Sequence, residues 1–127
     1  MPLYKIKPQI HVITVTASGQ EIPIDLETDK LYNTITGINV LLSDNNAMFS
    51  TIPLEVNGTE LFPENFEVAR IKFKDQSPLA YDYLPLNLPA GGSRIKGKYT
   101  DKGGATYPYT VSISFRLEII EDNKVKE

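Results

Sequence analysis

The stretch Tyr109-Thr-Val-Ser-Ile-Ser-Phe-Arg-Leu-Glu-Ile119 decides the fold class of this chain, because a large apolar residue occupies every second position in it. Successive side chains of a β-strand point to opposite faces, so this spacing predicts one apolar face and one polar face. A helix would distribute the same residues around its whole circumference. We therefore predict a long, half-buried strand in an antiparallel sheet that packs on one side.

Further strands are predicted elsewhere in the chain by the same kind of pattern. Residues 9–16 and residues 35–42 are apolar on both faces, and the second of these segments is expected to be central in a sheet. Residues 21–27 alternate cleanly but include Pro23, which has no amide hydrogen, so we expect that strand at a sheet edge. Residues 94–100 form another strand.

The pair Asn57-Gly58 lies between alternating apolar residues and predicts a β-hairpin. Both residues tolerate the positive φ that a type I′ turn requires. The turn would set the register of the two strands, with these residues opposite each other: Val56 with Thr59, and Leu54 with Leu61.

The rest of the chain is predicted to be a helical turn at 63–65, a strand with a bulge at 66–73, a short strand at 79–84 and a Pro/Gly-rich loop at 85–93. Eight or nine strands without a helix predict an all-β fold, an antiparallel β-sandwich that is a single jelly roll of about eight strands. The predicted regions are an extended N-terminal arm, the sandwich and a polar C-terminal tail, at residues 1–8, 9–120 and 121–127.

Composition narrows the classes of function. A chain of 127 residues is expected to be one domain, and it has no cysteine for a disulfide framework or a Cys-based zinc site. The formal net charge of −3 does not favour nucleic acid. No apolar run reaches the roughly 20 residues of a membrane-spanning helix, and the first residues lack a signal-peptide pattern. We expect a protein that stays in the cell that makes it, or that leaves by assembly or lysis.

Residues that could carry chemistry are few. His11 is the one histidine, and it lies in a predicted strand with no nucleophile or carboxylate at short range, so we interpret it as a structural or surface residue. Asp44-Asn45-Asn46 lacks the acidic spacing of a calcium loop and is interpreted as a turn. We predict no catalytic residue, no metal site and no cofactor, and we expect the chain not to be an enzyme.

Surface patterns are more informative than these isolated residues. Two predicted strands carry charged stripes, one basic and one acidic, which are Arg94, Lys96 and Lys98, and Glu21, Asp25 and Glu27. The stripes could be two solvated strands or neighbours that pair across one sheet, or they could join the edges of two copies. Aromatic and arm residues complete the candidate interface: Leu3, Tyr4, Lys5, Lys7, Tyr81 and Tyr83.

The stretch Leu61-Phe-Pro-Glu-Asn-Phe-Glu-Val68, the stretch Gly92-Ser-Arg-Ile-Lys-Gly-Lys-Tyr99 and the residues from Tyr107 to Glu118 carry a resemblance. Together with the strand pattern and the arm, they resemble the single jelly-roll capsid proteins of tailless, icosahedral, membrane-containing phages. The resemblance implies a penton or minor capsid protein in the virion, with no catalytic residues.

The implied partners are copies of the chain, a major capsid protein, and a spike protein or the internal membrane. The arm would then run along neighbouring subunits or toward that membrane. A tail or baseplate adaptor would differ from this interpretation mainly in its partners. The alternative of another class is a cytoplasmic, non-catalytic carbohydrate-binding module, in which Tyr81 and Tyr83 form a stacking platform for a sugar.

Overall fold

The fold is built from eight strands, in a computed structural model that describes residues 5–71 and 83–120. In chain order the strands are β1 (Ile6–Val15), β2 (Glu21–Glu27), β3 (Thr34–Leu42), β4 (Leu54–Val56), β5 (Thr59–Phe62), β6 (Leu84–Pro89), β7 (Arg94–Thr100) and β8 (Tyr109–Glu118). Two short 3-10 turns, Asn45–Ala47 and Val68–Arg70, are the helical elements of these residues. No helix within the described ranges is long and apolar enough to span a bilayer.

The strands form two antiparallel sheets with the orders β1-β8-β3-β6 and β2-β7-β4-β5. Consecutive strands lie in opposite sheets, except for the hairpin of β4 and β5. This is a jelly-roll arrangement, in which two four-stranded sheets pack face to face. The predicted all-β sandwich of about eight strands is therefore confirmed.

Strand β8 is central in the first sheet, between β1 and β3. Its odd-numbered side chains from Tyr109 to Leu117 are buried in the core, and none is more than 3% exposed. Burying each of them contributes about 2 kcal/mol from the removal of apolar surface. The alternation quoted at the start of the sequence analysis thus fixes which face of β8 forms the core.

Two positional predictions are confirmed, and the hairpin is confirmed in part. Strand β3 is central and β2 lies at an edge of its sheet. At the hairpin turn Asn57 and Gly58 have φ values of 51° and 85°, and Val56 faces Thr59. The predicted pairing of Leu54 with Leu61 is wrong, because a register shift between Leu54 and Glu55 places Leu54 opposite Phe62. The shift lets the Phe62 ring enter the core, where it is 6% exposed.

The prediction of a strand over residues 66–73 is wrong for the part that the structure describes, because residues 68–70 form a 3-10 turn. Val68 and Ile71 are both buried, and residues three apart lie on one side of a 3-10 turn. What resembled a bulge in an alternating pattern is this spacing of three. The predicted helical turn at 63–65 is a tight turn closed by the bond from the Phe66 amide to the Pro63 carbonyl (3.1 Å).

The predicted loop at 85–93 is also wrong in its first half, because β6 runs from Leu84 to Pro89. Strand β6 is an edge strand of its sheet, and an edge strand tolerates prolines such as Pro85 and Pro89. The predicted arm is shorter than residues 1–8, because β1 begins at Ile6 and pairs it with Glu118. Residues 1–4, 72–82 and 121–127 lie outside the described residues, and so do the predictions made for them.

Candidate interaction surfaces

The outer face of the sheet β2-β7-β4-β5 is densely charged, and we call it the charged face. It has a net formal charge of −2, because it carries five carboxylates and three cations: Glu21, Asp25, Glu27, Glu55 and Glu60, and Arg94, Lys96 and Lys98. The acidic and basic stripes found in the sequence are thus β2 and β7, which are neighbours in this sheet.

Charges of the two stripes pair within the chain. The Arg94 Nη1 atom lies 3.1 Å from Asp25 Oδ1, and the Lys98 Nζ atom lies 3.7 Å from Glu21 Oε1. All four side chains are about half exposed, so each ion pair contributes less than about 1 kcal/mol. Of the alternatives for the stripes, pairing across one sheet is the one that the structure has. A contact between the stripes of two copies is not needed to explain them.

A shallow depression of about 400 Å³ lies on the charged face, between β7 and the β4–β5 hairpin. Its walls include Glu55, Glu60, Lys96 and Lys98. Its base lies near Gly97, where a Cβ atom would be 2.1 Å from the carbonyl oxygen of Pro53. The walls offer carboxylates and ammonium groups but no histidine, thiol or hydroxyl nucleophile.

The outer face of the sheet β1-β8-β3-β6 has the opposite character. Four large aliphatic side chains on this face are between 48% and 57% exposed, and we call the surface that they form the aliphatic face: Ile6, Ile10, Val12 and Leu41. Val12 and Leu41 both lie opposite Ser112 of β8, one on each side of it. Exposed aliphatic side chains that share one face are typical of a surface that binds a protein or a membrane.

Tyr83 lies over the other half of this face. Its hydroxyl is 2.9 Å from Ser114 Oγ, and the guanidinium of Arg116 is 5.3 Å from the centre of its ring. The Tyr83 side chain fills the space above Gly37, where an added Cβ would be 2.8 Å from the Tyr83 Cβ. These contacts already engage the ring that the carbohydrate interpretation requires for stacking. Tyr81, the other half of that proposed platform, lies outside the described residues.

A buried cluster of tyrosines around Asp101 was not recognised in the sequence. Asp101 is 2% exposed, and its Oδ2 atom accepts hydrogen bonds from the Gly19 amide (3.0 Å), the Gly103 amide (3.0 Å) and the Tyr107 hydroxyl (2.7 Å). Its Oδ1 atom accepts one from the Tyr109 hydroxyl (2.5 Å). The carboxylate therefore joins the β1–β2 turn to the β7–β8 loop.

The cluster favours one protonation state of each member. Burial raises the pKa of the Asp101 carboxyl, but its four hydrogen bonds outweigh burial and hold the pKa below the ordinary value. Burial, and then the hydrogen bond to Asp101, raise the pKa of Tyr109 far above its usual range. Tyr99, whose hydroxyl is 2.9 Å from that of Tyr109, also has a pKa raised by burial. The charged carboxylate of Asp101, held by two backbone amides and two tyrosine hydroxyls, therefore connects segments that are distant in sequence.

The remaining sequence candidates are distributed over the molecule. The Lys7 Nζ atom lies 2.6 Å from Asp29 Oδ2, so this arm residue is fixed to the β2–β3 loop. Lys5 is exposed, whereas Leu3 and Tyr4 lie outside the described residues. His11 is half-buried in β1, opposite Ile113.

Asp44 behaves as the turn residue that the sequence indicated. Its side chain accepts bonds from the amides of Asn46 (3.0 Å) and Thr106 (2.7 Å). The bonds from Thr106 and then Asn46 lower the pKa of its carboxyl.

Groups of His, Asp and Glu that could hold a metal ion do not occur in the part of the chain that the structure describes. Comparison of the chain with protein-family models, with curated proteins and with solved structures finds no match. The surfaces described above are therefore the basis for any inference about function.

Proposed function

We propose that this chain is a non-catalytic structural protein, a penton or minor capsid component of a virion, which assembles through the outer surfaces of its jelly roll. Jelly rolls occur in viral capsids, lectins and cupins, so the fold alone does not decide between these roles. The observation that carries the proposal is the aliphatic face, because its four large side chains are half exposed on one side of a sheet, as on surfaces that bind a partner.

The energetics of this face suit an assembly of many copies. Burying the exposed half of one aliphatic side chain contributes about 1 kcal/mol, so the four contribute about 4 kcal/mol per copy. Association costs at least about 4 kcal/mol in lost rotational and translational freedom. A single contact of this kind is therefore weak. A subunit in a closed shell makes several contacts at once, and their combined strength holds it in place.

The proposed partners follow from the chemistry of the two faces. The aliphatic face would meet apolar surfaces of further copies, of a major capsid protein, or of the internal membrane. The charged face would meet polar partners such as a spike protein, and its net negative charge gives no attraction for nucleic acid. In this proposal the protein functions in the virion.

Mass spectrometry of purified virions from the source of this chain tests the proposal. We expect the chain in a fixed ratio to the major capsid protein, in a number of copies that matches a symmetry of the shell. Its absence from purified virions, together with its presence as a free protein in the lysate, would contradict the proposal. A parallel glycan-array measurement on the purified chain addresses the carbohydrate alternative.

A further inference from the structure

We propose that the chain binds a second copy of itself by antiparallel pairing of β1 with the β1 strand of that copy. This contact specifies one partner of the proposed assembly protein, namely another copy of the chain. It rests on the proposed function, in which the chain binds further copies of itself. It would join the sheets β1-β8-β3-β6 of two copies into one continuous sheet.

The backbone of β1 offers hydrogen-bonding groups at the outer edge of its sheet, where no other described strand pairs with it. The Ile119 amide donates to the Lys5 carbonyl (2.8 Å), so Lys5 and Ile119 are a hydrogen-bonded pair of β1 and β8. Such pairs alternate along an antiparallel ladder, so the odd-numbered residues of β1 bond to β8. The N–H and C=O groups of Ile10, Val12 and Thr14 therefore point away from β8, to the edge of the sheet.

Among the described residues, the other three edge strands each have a feature that hinders pairing with another strand. Edge strand β2 contains Pro23 and three carboxylates, β5 has four residues, and β6 contains two prolines. Prolines, charges, bulges and short length are the usual means by which proteins block edge pairing.

Residues 9–15 of β1 have none of these protections. The segment has no proline and no Lys, Arg, Asp or Glu, and its register with β8 is continuous. Pro8 lies just before it and restricts pairing to this half of the strand. A strand rises about 3.3 Å per residue, so this half offers an edge of roughly 20 Å.

The charges of the molecule favour a second copy as the occupant. Ile10 and Val12 are exposed side chains of β1 itself. In a pair of β1 strands related by a two-fold axis, they would therefore contact the same side chains of the second copy. On that face Arg116 and Glu118 neutralise each other at 3.7 Å, so two copies bring no net charge together. The charged face, with its net negative charge, repels a second copy.

The test uses the full chain and two matched variants. Val12→Lys places a cation on the edge and on the aliphatic face, while the bonds of β1 to β8 remain. Phe49→Lys makes the same change in charge at a side chain that is 61% exposed and lies outside every strand. Analytical ultracentrifugation over a range of concentrations should give a dimer whose dissociation constant rises at least tenfold in the first variant and less than about twofold in the second. Circular dichroism checks that both variants are folded.

Hydrogen exchange identifies the mode of contact. In the dimer, the amides of Ile10, Val12 and Thr14 should become protected as the concentration rises. A dimer in which these amides exchange freely would overturn strand pairing in favour of stacked faces. A chain that remains monomeric at millimolar concentration would overturn the inference as well, and so would a monomer that binds anionic vesicles through Val12.

These results are separable from the test of the proposed function. A monomeric chain that is present in virions would refute strand pairing and leave the capsid proposal standing. A chain that dimerises through β1 but is absent from virions would refute the capsid proposal and leave strand pairing standing.

Discussion

Replacing the buried carboxylate by its amide, Asp101→Asn, should destabilise the fold and change how stability depends on pH. The carboxylate accepts four hydrogen bonds, two from backbone amides and two from tyrosine hydroxyls. Hydrogen bonds to a charged group contribute about 1.5–3 kcal/mol each, against about 0.5–1.5 kcal/mol between neutral groups. The amide oxygen can keep the three donors of the Oδ2 side, whereas its nitrogen would face the Tyr109 hydroxyl, which must then turn toward Tyr99.

From these contacts we expect a loss of about 2–4 kcal/mol at pH 7. The folded pKa of Asp101 lies below the unfolded value of about 4, so its stabilisation is complete above pH 4 and is lost as pH falls through the folded pKa. The difference between wild type and variant should therefore shrink in acid, where the wild-type carboxyl is itself protonated.

Urea denaturation between pH 2 and pH 7, followed by circular dichroism or tyrosine fluorescence, measures both quantities. Asp25→Asn is the matched control, since that exposed carboxylate only joins a surface ion pair and should change stability by less than about 1 kcal/mol. A loss below about 0.5 kcal/mol for Asp101→Asn would refute the reasoning, because three bonds would lose their charge and the Tyr109 hydroxyl would lose its acceptor. A loss that is the same at pH 2 and pH 7 would refute the assigned charge state.

Three further predictions concern stability and can be measured by the same denaturation experiments. Gly97→Ala should lower the free energy of unfolding by more than about 3 kcal/mol, because the new Cβ would lie 2.1 Å from the Pro53 carbonyl oxygen and force β4 away from β7. A variant as stable as wild type would show that the two strands can separate freely. Asn57→Ala should cost about 2 kcal/mol and Asn57→Gly clearly less, because φ is 51° at this position; equal losses would mean that backbone conformation is irrelevant there. The pKa values of Tyr99 and Tyr109 are higher in the folded than in the unfolded state, so the free energy of unfolding should fall above pH 10 by up to about 1.4 kcal/mol per pH unit for each of them. A flat profile from pH 8 to pH 11 would contradict their burial as neutral groups.

The fold class was predictable because strong, local patterns carry it. The alternation through β8, the Asn57-Gly58 turn and the edge position indicated by Pro23 each depend on a few neighbouring residues, and each is found in the structure. The order of strands was not predictable, because an alternating strand shows which face is apolar but not which strand lies beside it.

The errors arose where a pattern of one period resembled another. Val68 and Ile71 are spaced for a 3-10 turn, yet they fall in a run that reads as an interrupted strand. Leu84, Leu86 and Leu88 alternate through β6, but Pro85 and Pro89 in the same segment indicated a loop. The Asp101 cluster was missed because it joins turns that are 82 residues apart, Gly19 and Asp101, and no local motif reports such a contact. Its one visible signal was an aspartate close to two tyrosines.

The pairing of β1 with β8 has a consequence for how the chain is made. Among the described strands β1 pairs with β8 alone, so a ribosome must add every strand from β2 to β8 after β1 before that ladder can form. Contacts so distant in sequence slow folding. During synthesis the nascent chain carries β1 as an unpaired strand with apolar residues on both faces, and such exposed strands are prone to aggregation until their partner is made.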